Sequence, residues 1–275
     1  MSISKDRNRI FSVGSDSALK MYSVQTKEQL RSFVIGDLAL SSCALSADEK
    51  NILIGSWNNN IYSYSIDFGR IIETLPAHDD AVSCLRLKGQ SLVSGSWDTT
   101  FKCWKYGPSG IVKMPVCDFV EMEAQVKCCD LDAFETVAVA GGDNGSLMFV
   151  DLRSNAVIRK VQAHNDAVNN VEFSPNGSTV VSCGEDKKFK IFQVSNGAEI
   201  LSINLEDKPS CLSTDGRSLF IAEGRTMKLW DIVQGVEIHS YSPLDSPISC
   251  ITQNENSFTV VTGCEDGTVV HWKAN

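Results

Sequence analysis

Short runs of alternating apolar and polar residues recur along the whole chain. In Phe101-Lys102-Cys103-Trp104 and in Phe189-Lys190-Ile191-Phe192 the flanking apolar residues fall two positions apart, and Leu229 and Trp230 follow Lys228. A period of two sends successive side chains to opposite faces, so these runs predict strands rather than helices. The runs end on an aromatic or apolar anchor at Tyr22, Tyr64, Trp104, Val150, Phe192, Trp230 and Trp272, spaced 42, 40, 46, 42, 38 and 42 residues apart. A strand-rich unit repeating at about 40 residues predicts the blades of a propeller.

Each unit carries the same punctuation. Six residues before the anchor stands a turn residue: Asp16, Asn58, Asp98, Asn144, Asp186, Gly224 and Asp266. Ten residues before it stands a small hydroxyl residue in four units, Ser12, Ser94, Ser182 and Thr262, which ends a further β-rich run such as Ser91-Leu92-Val93 or Phe258-Thr259-Val260-Val261. Ser174-Pro175-Asn176-Gly177 and Thr214-Asp215-Gly216 separate first from second strands, and Asn196-Gly197 and Gln234-Gly235 separate third from fourth. Gly and Asn accept the positive φ of tight hairpins. The expected unit is four short antiparallel strands, and the expected blades are residues 1–35, 36–76, 77–122, 123–162, 163–204, 205–242 and 243–275 of one domain. A longer connection, from Gly107-Pro108-Ser109-Gly110 to Glu121, accounts for the spacing of 46. The last unit stops at Trp272-Lys273-Ala274-Asn275. It is therefore expected to lack its outer strand and to have an open edge, with the closing strand supplied by residues ahead of Met1 in a larger protein.

This pattern resembles the WD-repeat family of β-propellers across essentially the whole chain. Trp230-Asp231 carries both letters of the family dipeptide, and Ala77-His78 and Ala163-His164 stand where the family usually has Gly-His. The resemblance implies an all-β, seven-bladed propeller. It also implies a buried hydrogen-bonded tetrad of His78, Ser94, Asp98 and Trp104. His164, Ser182 and Asp186 repeat it with Phe192 for the Trp, and Thr262, Asp266 and Trp272 repeat it without a His. A Ser, a His and an Asp could also form a nucleophilic triad. A triad in sequential copies, with no Gly-x-Ser-x-Gly around either serine, argues for scaffold chemistry and against an enzyme.

Composition narrows the function classes. The net charge of −9 and pI near 5.0 disfavour nucleic-acid and anionic-membrane binding, which need a basic stripe. Apolar runs such as Thr136-Val137-Ala138-Val139-Ala140 are far shorter than the roughly 20 residues of a spanning helix, and the first residues lack the apolar core of a signal peptide. The ten cysteines contain no Cys-x-x-Cys pair and recur at first-strand positions (Cys43, Cys84, Cys128-Cys129, Cys211, Cys250), with Cys103 and Cys183 in other strands. They read as small buried hydrophobes in a reducing, cytoplasmic compartment, with no metal site and no cofactor. His239 is expected to be exposed and His271 packed.

In this family the turn between second and third strands and the link between units open on one face, the usual docking surface. Trp57 and Trp97 occupy the same turn position in adjacent units. Paired aromatics on one rim predict a hot spot for a protein or peptide, unless both rings fold down onto their blades and pack. Asp79, Asp80, Asn165 and Asp166 on the linking loops would favour a basic peptide.

A narrower resemblance rests on Ala39-Leu40-Ser41-Ser42-Cys43, Ser56 to Ile66, Phe68-Gly69-Arg70, His78 to Ser83, Asp16 to Tyr22 and Ser96-Trp97-Asp98. These segments are similar to the C-terminal WD repeats of BEACH-domain signalling proteins associated with neutral sphingomyelinase activation. That resemblance implies a cytoplasmic adaptor, recruited to membranes through partners, that couples a tumour necrosis factor receptor tail to ceramide production, with a BEACH region upstream. Alternatives are a vesicle-trafficking scaffold or a substrate receptor of a cullin ubiquitin ligase. For the last, Val150-Asp151-Leu152-Arg153 resembles the Trp-Asp-x-Arg run that docks ligase adaptors.

Overall fold

The computed structural model describes residues 1–6, 8–253 and 259–273. Phe258, expected to open a strand, lies outside the described residues, as do Ala274 and Asn275. Seven antiparallel sheets follow one another along the chain, each ordered from an inner strand outward in sequence order. The inner strands are Ser2–Ile3, Leu40–Leu45, Val82–Lys88, Val126–Leu131, Val168–Phe173, Pro209–Thr214 and Ile248–Gln253. We number the sheets as blades 1 to 7. The protein is an all-β, seven-bladed propeller. Blade 7 has three strands among the described residues, ending at Val269–Lys273.

Blade 3 departs from the expected four strands. Its outer edge is split into two short pieces, Gly110–Ile111 and Cys117–Phe119, which pair with different parts of Phe101–Gly107. The longer connection read from the spacing of 46 is this broken strand. Met114 and Val120 stand exposed in and beside it.

The repeat is a repeat of register. Each anchor lies opposite an apolar residue of the second strand: Tyr22 opposite Ile10, Tyr64 opposite Ile52, Trp104 opposite Leu92, Val150 opposite Ala138, Phe192 opposite Val180, Trp230 opposite Leu219 and Trp272 opposite Val260. In blades 2 to 7 a bulge interrupts the pairing of the inner strand near its start, as between Val126 and Cys128. Bulges bend a strand and increase its twist, so the same device turns the chain into each blade.

Six apolar cores lie between consecutive blades. The one joining blades 3 and 4 holds Val93, Phe101, Cys103, Val126, Leu131 and Met148, and comparable clusters join blades 1–2, 2–3, 4–5, 5–6 and 6–7. Each fully buried Val, Leu or Phe contributes about 1.5–3 kcal/mol. Gly95 and Gly141 permit this close stacking. A Cβ on Gly95 would collide with Val126 Cγ1 of blade 4, and one on Gly141 would stand 2.9 Å from Val168 Cγ1 of blade 5. Between blades 7 and 1 the described residues form no such core. A cavity of about 480 Å³ lies there instead, lined by Met1, Ser12, Tyr22, Cys250 and Gly263 among others. All ten cysteines are free, and eight are buried, as expected of small apolar side chains.

Hydrogen-bonded tetrads and a candidate interaction face

In blade 3 four side chains form one chain of hydrogen bonds. Trp104 Nε1–H donates to Ser94 Oγ at 2.9 Å, and Ser94 Oγ lies 2.8 Å from His78 Nε2. His78 Nδ1 is 2.9 Å from Asp98 Oδ2 and 2.9 Å from Thr100 Oγ1. An indole N–H only donates, so Ser94 accepts it and gives its own proton to Nε2. The ring proton is thereby placed on Nδ1, facing Asp98. Asp98 Oδ2 also accepts the backbone N–H of Asp79 at 2.9 Å. Burial alone would raise the Asp98 pKa, but the bonds from His78, Thr100 and two backbone N–H groups hold it well below the usual carboxylate range.

Blade 5 repeats three parts. His164 Nδ1 is 2.8 Å from Asp186 Oδ1, and Nε2 is 2.8 Å from Ser182 Oγ. Phe192 stands buried in the place of the Trp. Burial lowers the His164 pKa in spite of Asp186, which keeps this ring neutral at pH 7. In blade 7 the expected set is only half assembled. Trp272 Nε1–H donates to Thr262 Oγ1 at 3.0 Å. Asp266 is exposed and turns its carboxylate to the N–H of Thr268. With no histidine to draw that carboxylate inward, it caps its own turn.

Ser94 and Ser182 have no exposed surface, and each histidine nitrogen already has a partner. No substrate carbonyl reaches either hydroxyl, which a nucleophile requires. The aspartates instead pin the links between blades. Asp98 holds Asp79, and Asp186 Oδ2 accepts the N–H of Asn165 at 3.1 Å.

Blade 6 reaches the same end with other residues. Glu223 Oε2 accepts the N–H groups of Glu206 and Asp207, both at 3.1 Å. Lys228 Nζ lies 3.4 Å from Glu223 Oε1, 2.8 Å from Glu206 and 3.7 Å from Glu237. The turn position, Gly224, gave no hint of this ion cluster. The signal present in the sequence was Glu223, one residue early and one methylene longer than the aspartates.

Pinning the links leaves Asp79, Asp80, Asn165 and Asp166 exposed on one face. The turns with the tryptophans open there too. The backbone N–H of Trp57 donates to the carbonyl of Ala39 at 2.9 Å, and the backbone N–H of Trp97 to that of Ala81 at 3.1 Å. The two indole rings touch, with centroids 5.0 Å apart and planes tilted by 49°. Trp57 is 45% exposed and Trp97 is half-buried. They wall a cavity of about 280 Å³ with Ser15, Ala39, Leu40, Ser41, Ser83 and Lys127. Asn165 and Asp166 belong to the blade 4–5 link, two blades beyond Trp97.

The other end of the inner strands carries a charge cluster that the sequence did not single out. Asp130 Oδ1 lies 3.8 Å from Arg86 Nε and 3.6 Å from Lys88 Nζ, while its Oδ2 accepts the N–H of Phe173 at 2.8 Å. Glu172 sits beside them and accepts a hydrogen bond from Ser213 Oγ at 3.4 Å. Burial, then the Asp130 charge, pushes the Glu172 pKa up to about 8 against the pull of Arg86 and Lys88. A carboxyl with a folded pKa above its unfolded value binds more protons when folded. Its contribution is therefore lost as pH rises from the ordinary glutamate value through about 8. Between pH 6 and pH 9 the urea midpoint is expected to fall by an amount worth about 1–2 kcal/mol. Glu172→Gln should flatten that slope, and an unchanged slope in the variant would assign it elsewhere.

His239 is exposed and meets Tyr241 edge to face at 4.6 Å. His271 is half-buried. In Val150-Asp151-Leu152-Arg153 the Asp151 carboxylate caps its own turn by accepting the N–H groups of Arg153 and Ser154. No helix among the described residues is long and apolar enough to cross a membrane.

Comparison with known proteins agrees with this architecture. Residues 38–228 match the family model described as nucleolar protein 10-like, N-terminal domain, and residues 235–273 match the WD domain, G-beta repeat. Autophagy-related protein 16 of Arabidopsis thaliana is 22% identical over 96% of this chain and 53% of its own length. Transcription factor unc-37 of Caenorhabditis elegans is 28% identical over 77% of this chain and 34% of its own. BEACH domain-containing protein B of Arabidopsis thaliana is 23% identical over 76% of this chain and 9% of its own. The chain thus spans about half or less of the length of these relatives. These differently named proteins each match more than three quarters of this chain, so what the chain has in common with them is its run of repeats. WD40 propellers generally bind proteins and peptides and are usually not catalytic. The chain belongs to the β-propeller family described as nucleolar protein 10-like, N-terminal domain, and is a WD40-repeat propeller of seven blades.

Proposed function

We propose that the chain is a non-enzymatic interaction scaffold whose face bearing Trp57 and Trp97 docks a segment of a partner protein. The observation that carries this reading is the pair of touching indole rings, one of them 45% exposed, on a rim where nothing in the blades requires an aromatic. Rigid aromatics beside a small cavity are the usual anchors of an interface. Asp79 and Asp80 link blade 2 to blade 3, the two blades that carry the tryptophans, and favour basic residues on the partner. With Asn165 and Asp166 they extend the docking rim.

The segments similar to BEACH-domain proteins, together with the match to BEACH domain-containing protein B, support a more specific role. In it the chain is the WD-repeat part of an adaptor like the factor associated with neutral sphingomyelinase activation. It holds a tumour necrosis factor receptor tail in the cytoplasm and works with an upstream BEACH region. The net charge of −9 favours such a protein partner over nucleic acid or direct membrane insertion.

Titration calorimetry of the chain with a synthetic receptor tail tests both levels. Trp57→Ala with Trp97→Ala is expected to weaken binding by about 1,000-fold, at roughly 2 kcal/mol for each of the two hot-spot residues, with the melting temperature nearly unchanged. A tail that does not bind the unaltered chain would end the receptor assignment. Binding that survives both substitutions would end the assignment of this face.

A further inference from the structure

The second residue of each inner strand from blade 2 to blade 7 is Ser41, Ser83, Lys127, Asn169, Ser210 and Ser249. Five of the six are small and polar, and they spend their side chains on backbone carbonyls. Ser83 bonds Gly95 and Val126, Asn169 bonds Pro209, Ser210 bonds Ile248, Ser41 bonds Gly55 and Ser249 bonds Gly263. These bonds tie together the starts of the inner strands, which ring one mouth of the propeller's central channel, both within blades and from blade to blade. Lys127 breaks the pattern. Its side chain is exposed and, among the described residues, makes no hydrogen bond or ion pair. It lines the same cavity as Trp57 and Trp97, on a face otherwise rich in carboxylates.

We propose that this mouth is a subsite for a two-part feature of an extended peptide. An apolar side chain is gripped by Trp57 and Trp97, and an aspartate or glutamate one or two residues away pairs with Lys127. The proposal rests on the reading that this face docks a peptide. The cavity of about 280 Å³ suits one large side chain, being smaller than most sites for whole small molecules. A single ammonium matches a single carboxylate. A phosphate dianion would call for several cations or a bidentate arginine, and the carboxylates of Asp79 and Asp80 on the same face would disfavour it. The docked segment therefore has a charge order: basic residues over the acidic links, then the apolar anchor, then the acid at the channel mouth.

Selection of random nine-residue peptides displayed on phage against the immobilised full chain tests this. Parallel selections use Lys127→Glu and the double variant Trp57→Ala, Trp97→Ala, each checked for unchanged thermal melting. The unaltered chain is expected to enrich an aromatic or branched residue with Asp or Glu within two positions. Lys127→Glu should weaken those peptides about tenfold or more and enrich Lys or Arg at the acid position. A consensus with no acidic position, or one that Lys127→Glu leaves unchanged, overturns the subsite while the docking face stands. No enrichment at all, or enrichment that both alanine substitutions leave intact, overturns the docking face as well.

Discussion

Replacing Lys228 by Met is expected to cost about 3–5 kcal/mol of folding stability, the scale of breaking a buried ion pair by removing one partner. The lysine side chain is 9% exposed and that of Glu223 is 3% exposed. Glu223 Oε2 is committed to the N–H groups of Glu206 and Asp207, which leaves Lys228 as the counter-charge for Oε1. Burial by itself would lower the Lys228 pKa. The three carboxylates Glu206, Glu223 and Glu237 outweigh that and raise it, so the group is charged and its loss strands Glu223. Glu206 is almost fully exposed, so solvent screens its attraction for Lys228 and it cannot replace Glu223 as the buried partner. Adding Glu223→Gln to the lysine variant should recover part of the loss, because the stranded charge is gone. Denaturant unfolding at pH 7 reads both. A loss under about 1 kcal/mol in the single variant would show that solvent already neutralises Glu223.

His78→Ala is expected to cost about 2–4 kcal/mol, from two orphaned polar groups and a small cavity. Ser94 loses its acceptor, and Asp98 loses its bond from the imidazole while staying buried. At about 2–4 °C per kcal/mol for a chain of this size, the melting temperature should fall by roughly 5–15 °C. His164→Ala provides the comparison. Phe192 has no N–H, so Ser182 has one fewer partner to reorganise in blade 5, and the loss should be smaller. Equal losses in the two variants would show that the Trp104 N–H adds nothing to the network.

The parts legible in the sequence are those that one blade decides within itself. Anchor, small hydroxyl and turn residue lie within ten positions of one another, and strand alternation with hairpin chemistry fixes their register. His78, Ser94, Asp98 and Trp104 could be assigned because each occupies a set place in that local pattern. Asp266 shows the limit of such counting. It holds the right position, yet its carboxylate faces outward because blade 7 offers it no histidine. Blade 6 shows the converse, where Glu223 and Lys228 do the work at positions the pattern does not mark. The broken outer strand of blade 3 left only an unusual spacing as its trace.

What only the tertiary structure decided are contacts between blades. Trp57 and Trp97 are 40 positions apart in the sequence, and their meeting depends on how blade 3 stacks on blade 2. Arg86, Asp130 and Glu172 come from three successive inner strands, and Lys127 stands out only when the channel mouth is seen as one ring. Six packed cores and one cavity at the seam likewise reflect how whole sheets fit together. Periodicity and turn chemistry are short-range and repeat with the chain, so the sequence alone determined the blade and its count. The stacking of one blade on the next is a long-range fit of side-chain volumes and charges, which no local pattern carries.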